Sequence, residues 1–60
     1  MDKKTLKEIE DIITSMEAEA RKNCKRHLEE GDHRKYSYWS GKRSALCDVS
    51  IEVGKLLRNL

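Results

Sequence analysis

Apolar residues fall at Leu6, Ile9, Ile13, Met16 and Ala20, the alternating three- and four-residue spacing of one face of an α-helix. Ile12 widens that stripe, and the pattern thins at Asn23, Cys24 and His27. Gly31 is a natural helix stop, and Asp32 can cap whatever follows. A second stripe runs through Tyr38, Trp39, Lys42, Leu46, Val49, Val53, Leu56, Leu57 and Leu60. The spacing predicts one all-α domain over 1–60: helix 1 over about 3–30, a turn at about 31–32 and helix 2 over about 33–59. Thr5 and Glu8 have the spacing of a capping box, so helix 1 is expected to begin at Asp2 or Thr5. A turn centred on Gly31 pairs Leu6 with Leu56, Ile9 with Val53, Ile13 with Val49 and Met16 with Leu46, apolar on apolar. Beyond them Ala20 faces Lys42 and Asn23 faces Trp39. One continuous helix is the alternative, and the Glu30-Gly31-Asp32 turn signal weighs against it.

Composition changes what such a hairpin can do alone. The chain has 60 residues, of which 37% are hydrophobic and 40% charged, with neither Phe nor Pro. A chain of this size buries only ~60% of its unfolded surface, so small folds lean on disulfides, metals or partner copies. The expectation is an antiparallel two-helix hairpin that oligomerises into a helical bundle, as a four-helix dimer or higher. Helix 2 offers a second, uncharged stripe of Tyr36, Ser40, Cys47, Ile51 and Gly54, beside a small-residue ridge of Ser37, Gly41 and Ala45. Tyr36, Ser40, Gly41, Ala45, Cys47, Ile51 and Gly54 are thus the expected oligomer interface, with helix 1 as the outer jacket. The plain alternative is a row of exposed small residues.

Charge makes the two ends of the hairpin different. Residues 1–20 hold three Lys and six acids, a net −3; residues 21–43 hold eight Lys and Arg and three acids, a net +5; residues 44–60 balance. The loop end is therefore basic, and it also carries all three aromatics and both histidines. Fixed cations beside stacking surfaces suit a nucleotide or nucleic acid. The candidate ligand-binding residues are Arg26, Arg34, Tyr36, Tyr38, Trp39, Lys42 and Arg43. Oligomerisation would gather several such ends and multiply their field. The competing readings are a solvated charged face and aromatics that belong to the core. Lys42 interrupts the second stripe opposite small Ala20. It either snorkels outward along its stem or points into a pocket awaiting an anion.

No recognisable catalytic chemistry accompanies these features. Gly-rich phosphate loops, HExxH and nucleophile elbows are missing, and Glu17 and Glu19 diverge on a helix. No enzyme activity and no cofactor are expected. Cys24, His27 and His33 offer three metal-ligand types, but their spacing matches no zinc pattern, so no metal is assigned. The hairpin register sets Cys24 and Cys47 about nine residues out of level, ~13 Å at the ~1.5 Å rise of a helix, too far for a disulfide. Free thiols fit a reducing cytoplasm, and no apolar run approaches a membrane span.

The run Tyr38-Trp39-Ser40-Gly41-Lys42-Arg43-Ser44-Ala45-Leu46, followed by Val49, resembles C-terminal helices of short helical-hairpin accessory proteins of phages and mobile elements. The resemblance covers roughly a third of the chain and transfers no catalytic or binding residue. It implies a class of proteins that bind and neutralise a host molecule, some by sequestering signalling nucleotides, others by plugging an enzyme or binding nucleic acid. The hairpin plan is also similar to that of small RNA-binding four-helix dimers, without a shared motif. The primary expectation is thus a non-enzymatic oligomeric binder that sequesters a nucleotide or nucleic acid at its basic loop end. The alternative is a helical inhibitor or regulator that docks helix 2 on a host protein, with Ile51 among its anchors.

Overall fold

The computed structural model describes residues 2–60, which form two helices packed against each other: α1 Lys3–Glu30 and α2 His33–Arg58. Asp2 is the N-cap of α1; its carboxylate accepts the Thr5 backbone N–H at 2.7 Å. That hydrogen bond holds the Asp2 carboxyl below its ordinary pKa. Thr5 itself is helical, so the cap is Asp2 and the Thr5–Glu8 spacing lies within the first turns. At the other end Gly31 adopts φ 75° and ψ 17°. Its N–H donates to the Leu28 carbonyl at 3.1 Å, and the Asp32 N–H donates to the His27 carbonyl at 2.9 Å. This is the paired closure of a Schellman turn. Asp32 then caps α2, its carboxylate accepting the Lys35 N–H at 3.1 Å. One residue thus closes one helix and opens the next, which is why the turn is so short.

Gly31 is needed for its conformation alone. A Cβ there would meet nothing within 4 Å, yet the positive φ strains any L side chain. Gly31→Ala is expected to cost about 1–2 kcal/mol, the usual penalty of a left-handed alanine. Urea unfolding of the variant beside the parent checks it.

The seam between the helices is narrow. On α1 it follows Leu6, Ile13, Ala20 and His27, seven residues apart, with Cys24 beside them; all five are buried. Ala20 is 0% exposed and marks a point of close approach. On α2 only Val53 is buried, and Trp39, Leu46, Ser50 and Leu57 are half-buried. The seven-residue interval is the seam period of paired helices. Several stripe positions expected in the core lie outside it. Met16 is 40% exposed and Val49 49%, and Tyr38, Leu56 and Leu60 are exposed as well. The reason is geometric: one helix pressed on one other covers only a central line, whereas a bundle covers a stripe ≳ 100° wide. Conversely, Cys24 and His27, where the sequence pattern thins, belong to the core.

His27 is buried because its polar atoms are engaged. Nδ1 lies 2.9 Å from Glu30 Oε1, and Nε2 lies 3.3 Å from an Arg26 guanidinium nitrogen. The molecule is a rod of 44 × 14 × 12 Å. Among the described residues, no helix is long and apolar enough to cross a membrane.

A basic groove at the loop end

Two antiparallel helices leave an open face on each side of their seam. On one side, near the loop, a groove of about 220 Å³ is lined by Arg21, Cys24, Lys25 and Leu28 from α1 and by Tyr36, Ser40 and Arg43 from α2. Helical spacing explains the set. Residues 21, 24, 25 and 28 share one flank of α1, and 36, 40 and 43 share one flank of α2. Leu28 and the half-buried ring of Tyr36 form its apolar part, and buried Cys24 lies among its walls. The Ser40 hydroxyl adds a donor that is also an acceptor.

Three cations lie around this groove: Arg21, Lys25 and Arg43. Among the described residues none of the three has a carboxylate within 4.0 Å; the ion pairs present are Lys7 with Glu10 and Asp11, His27 with Glu30, Lys35 with Asp32, and Lys55 with Glu52. No acid lines the groove. Three uncompensated cations around a partly apolar concavity attract anions. The volume sets a scale. Drug-sized ligands occupy pockets of ~300–1,000 Å³, so a groove of about 220 Å³ has room for one phosphate-sized group and a portion of what carries it.

The remaining candidates lie elsewhere. Tyr36 and Arg43 enter the groove; Tyr38, Trp39 and Lys42 do not. Those three form their own cluster. Tyr38 meets Trp39 edge-on, with centroids 5.2 Å apart and planes at 89°. The Lys42 ammonium sits 4.8 Å from the Trp39 centroid and 5.9 Å from that of Tyr38. Lys42 therefore spends its charge on ring faces, a contact worth about 0.5–1 kcal/mol where exposed. Arg34 and Arg26 are exposed outside the groove, Arg26 beside His27. Of the expected oligomer-interface residues, Tyr36 and Ser40 line the groove. Gly54 is half-buried, while Gly41, Ala45, Cys47 and Ile51 are exposed. Arg21, Lys25 and Leu28 were not among the sequence candidates. The four-residue interval from Arg21 to Lys25, facing Arg43 across the hairpin, is the signal that could have found them.

Both cysteines are free, Cys24 buried and Cys47 exposed. Among the described residues no group of three His, Cys, Asp or Glu side chains converges as a metal site. Comparison with protein-family models, with curated proteins and with solved structures finds no match.

Proposed function

We propose that the protein is a non-enzymatic, self-associating binding protein that takes a phosphate-bearing ligand, a nucleotide or a single-stranded nucleic acid, in the groove at its loop end. The observation that carries this reading is the trio Arg21, Lys25 and Arg43 around one groove with no acid among its lining residues. Two guanidinium groups can each grip a phosphate through paired N–H donors, and the Lys25 ammonium adds a point charge. Tyr36 supplies a ring on which a base can stack. The groove is too small to enclose a whole nucleotide, so the rest of the ligand lies outside it. The likeness of the Tyr38–Val49 run to phage and mobile-element accessory proteins points the same way, toward sequestration rather than turnover. A small cytoplasmic binder of this kind needs no cofactor.

Calorimetry with a panel of mono- and dinucleotides and short single-stranded RNA and DNA, at low salt, tests the reading. Heat is expected with phosphate-bearing members and none with nucleosides. Silence across the panel would end it. A control variant sharpens the assignment. Lys42→Ala should leave affinity within about threefold, because Lys42 is outside the groove and acts on the ligand only through screened charge. A loss of binding in Lys42→Ala would move the site to the Tyr38–Trp39 cluster.

A further inference from the structure

The side of the hairpin opposite the basic groove carries a row of exposed apolar residues. Ile12 and Met16 are four residues apart, Val49 and Leu56 seven, and Leu56 and Leu60 four, intervals that keep each set on one flank of its helix. All five are at least 40% exposed, as is Tyr38. At ~100° per residue, Ile12 lies ~160° round α1 from Leu28, and Tyr38 lies ~160° round α2 from Tyr36. Since Leu28 and Tyr36 line the groove, the apolar side chains of both helices flank the seam on its other side.

We infer that this face docks on the same face of a second copy, with the two hairpins antiparallel. The chain exposes 4746 Å², whereas a compact monomer of 7.0 kDa exposes ~4,000 Å². The excess of ~700 Å² is spread over the rod, and covering a comparable area on the one apolar side of each copy would bury ~1,400 Å² in a pair, within the ~1,200–2,000 Å² of a stable interface. One turn from the apolar residues, Glu8 and Glu52 flank the face at the open end, and Arg34 and Lys42 flank it at the loop end, where the one acid on the Ile12 flank, Glu30, is engaged by His27 at 2.9 Å. Glu52 has only an exposed partner, Lys55, at 3.2 Å. An antiparallel pair sets each basic end beside the partner's acidic end; a parallel pair sets like against like. The twofold arrangement makes a four-helix bundle and leaves both basic grooves on its outer sides. The inference deepens the proposed self-association by moving its interface from the Cys47–Ile51 stripe to the Ile12–Val49 face. It is independent of what the grooves bind.

Native mass by light scattering and analytical ultracentrifugation at micromolar concentration tests this on the full chain. The parent is expected to be a dimer. Val49→Glu and Ile12→Glu should weaken it roughly 100-fold while keeping the helical circular-dichroism signal, because each would bury an unpaired carboxylate at the interface and neither residue is in the monomer core. Ile51→Glu should stay dimeric. Raising the salt should weaken the dimer, as opposite charges meet across it. A monomeric parent would overturn the inference and leave the face to a different partner. Dissociation by Ile51→Glu, or a Val49→Glu variant that remains dimeric, would overturn the choice of face. A dimer strengthened by salt would overturn the antiparallel arrangement. None of these outcomes bears on ligand binding, which calorimetry reads separately.

Discussion

Arg43→Ala should lower the affinity for a phosphate-bearing ligand by roughly 10- to 100-fold, the value of one charge-assisted contact of ~1.5–3 kcal/mol. Arg43 is the single cation that α2 contributes to the groove; Arg21 and Lys25 come from α1. Removing it leaves two cations on one wall and none opposite, so a phosphate loses its grip from two sides. The change should also appear in the salt dependence. For a single strand held by three cations, the logarithm of affinity falls with the logarithm of salt with a slope of about −2, and one fewer cation brings it to about −1.4. Arg43 is exposed and outside the seam, so the helical signal and unfolding midpoint should hardly move. Calorimetry at several salt concentrations, with Arg43→Lys as a partial rescue, provides the measurement.

Ile13→Ala should cost about 2–4 kcal/mol, as buried large-to-small changes usually do. Ile13 is one of only five buried apolar residues among those described, and none of the large side chains is completely sealed. Stability of roughly 0.05–0.15 kcal/mol per residue puts the whole chain at about 3–9 kcal/mol. One core truncation can thus remove half of it. Ile51→Ala, with Ile51 51% exposed and on neither the seam nor the apolar face, should cost less than about 1 kcal/mol. Urea unfolding of both variants followed at the helical band makes the comparison.

These contrasts also show what the sequence could and could not reveal. The helix limits were readable because Asp2, Gly31 and Asp32 are local signals, and a cap or a left-handed glycine acts within a few residues. The basic loop end was readable because charge needs no geometry. The rotation of each helix about its axis was not. Hydrophobicity alone centres the α2 stripe near Val49 and Leu56, but the seam runs through Trp39, Leu46 and Val53, at seven-residue intervals matching those of Leu6, Ile13, Ala20 and His27 on α1. Hydropathy merges these two neighbouring stripes into one. The apolar side chains on the Val49 flank lie outside the seam of the hairpin and are exposed. His27 interrupts the apolar pattern, and the Glu30 and Arg26 contacts that allow its burial cannot be read from hydropathy.

The groove was split for the same reason. Tyr36 and Arg43 stand out in the sequence, but Arg21, Lys25 and Leu28 join them only once the rotation of α1 is known. The interruption of an apolar stripe by Lys42 leaves two outcomes open, a stem that snorkels outward or a cation that faces an anion. The side chain crosses to the rings of Trp39 and Tyr38, an outcome that depends on rotamers rather than spacing.

The most direct test is an amide and side-chain NMR titration of the isotope-labelled protein with a short single-stranded oligonucleotide at low salt. Shifts are expected to concentrate at Arg21, Lys25, Leu28, Tyr36, Ser40 and Arg43, while Ile12, Met16 and Val49 stay still. An unchanged spectrum, or one in which the movement centres on Tyr38, Trp39 and Lys42, would contradict the assignment of the groove.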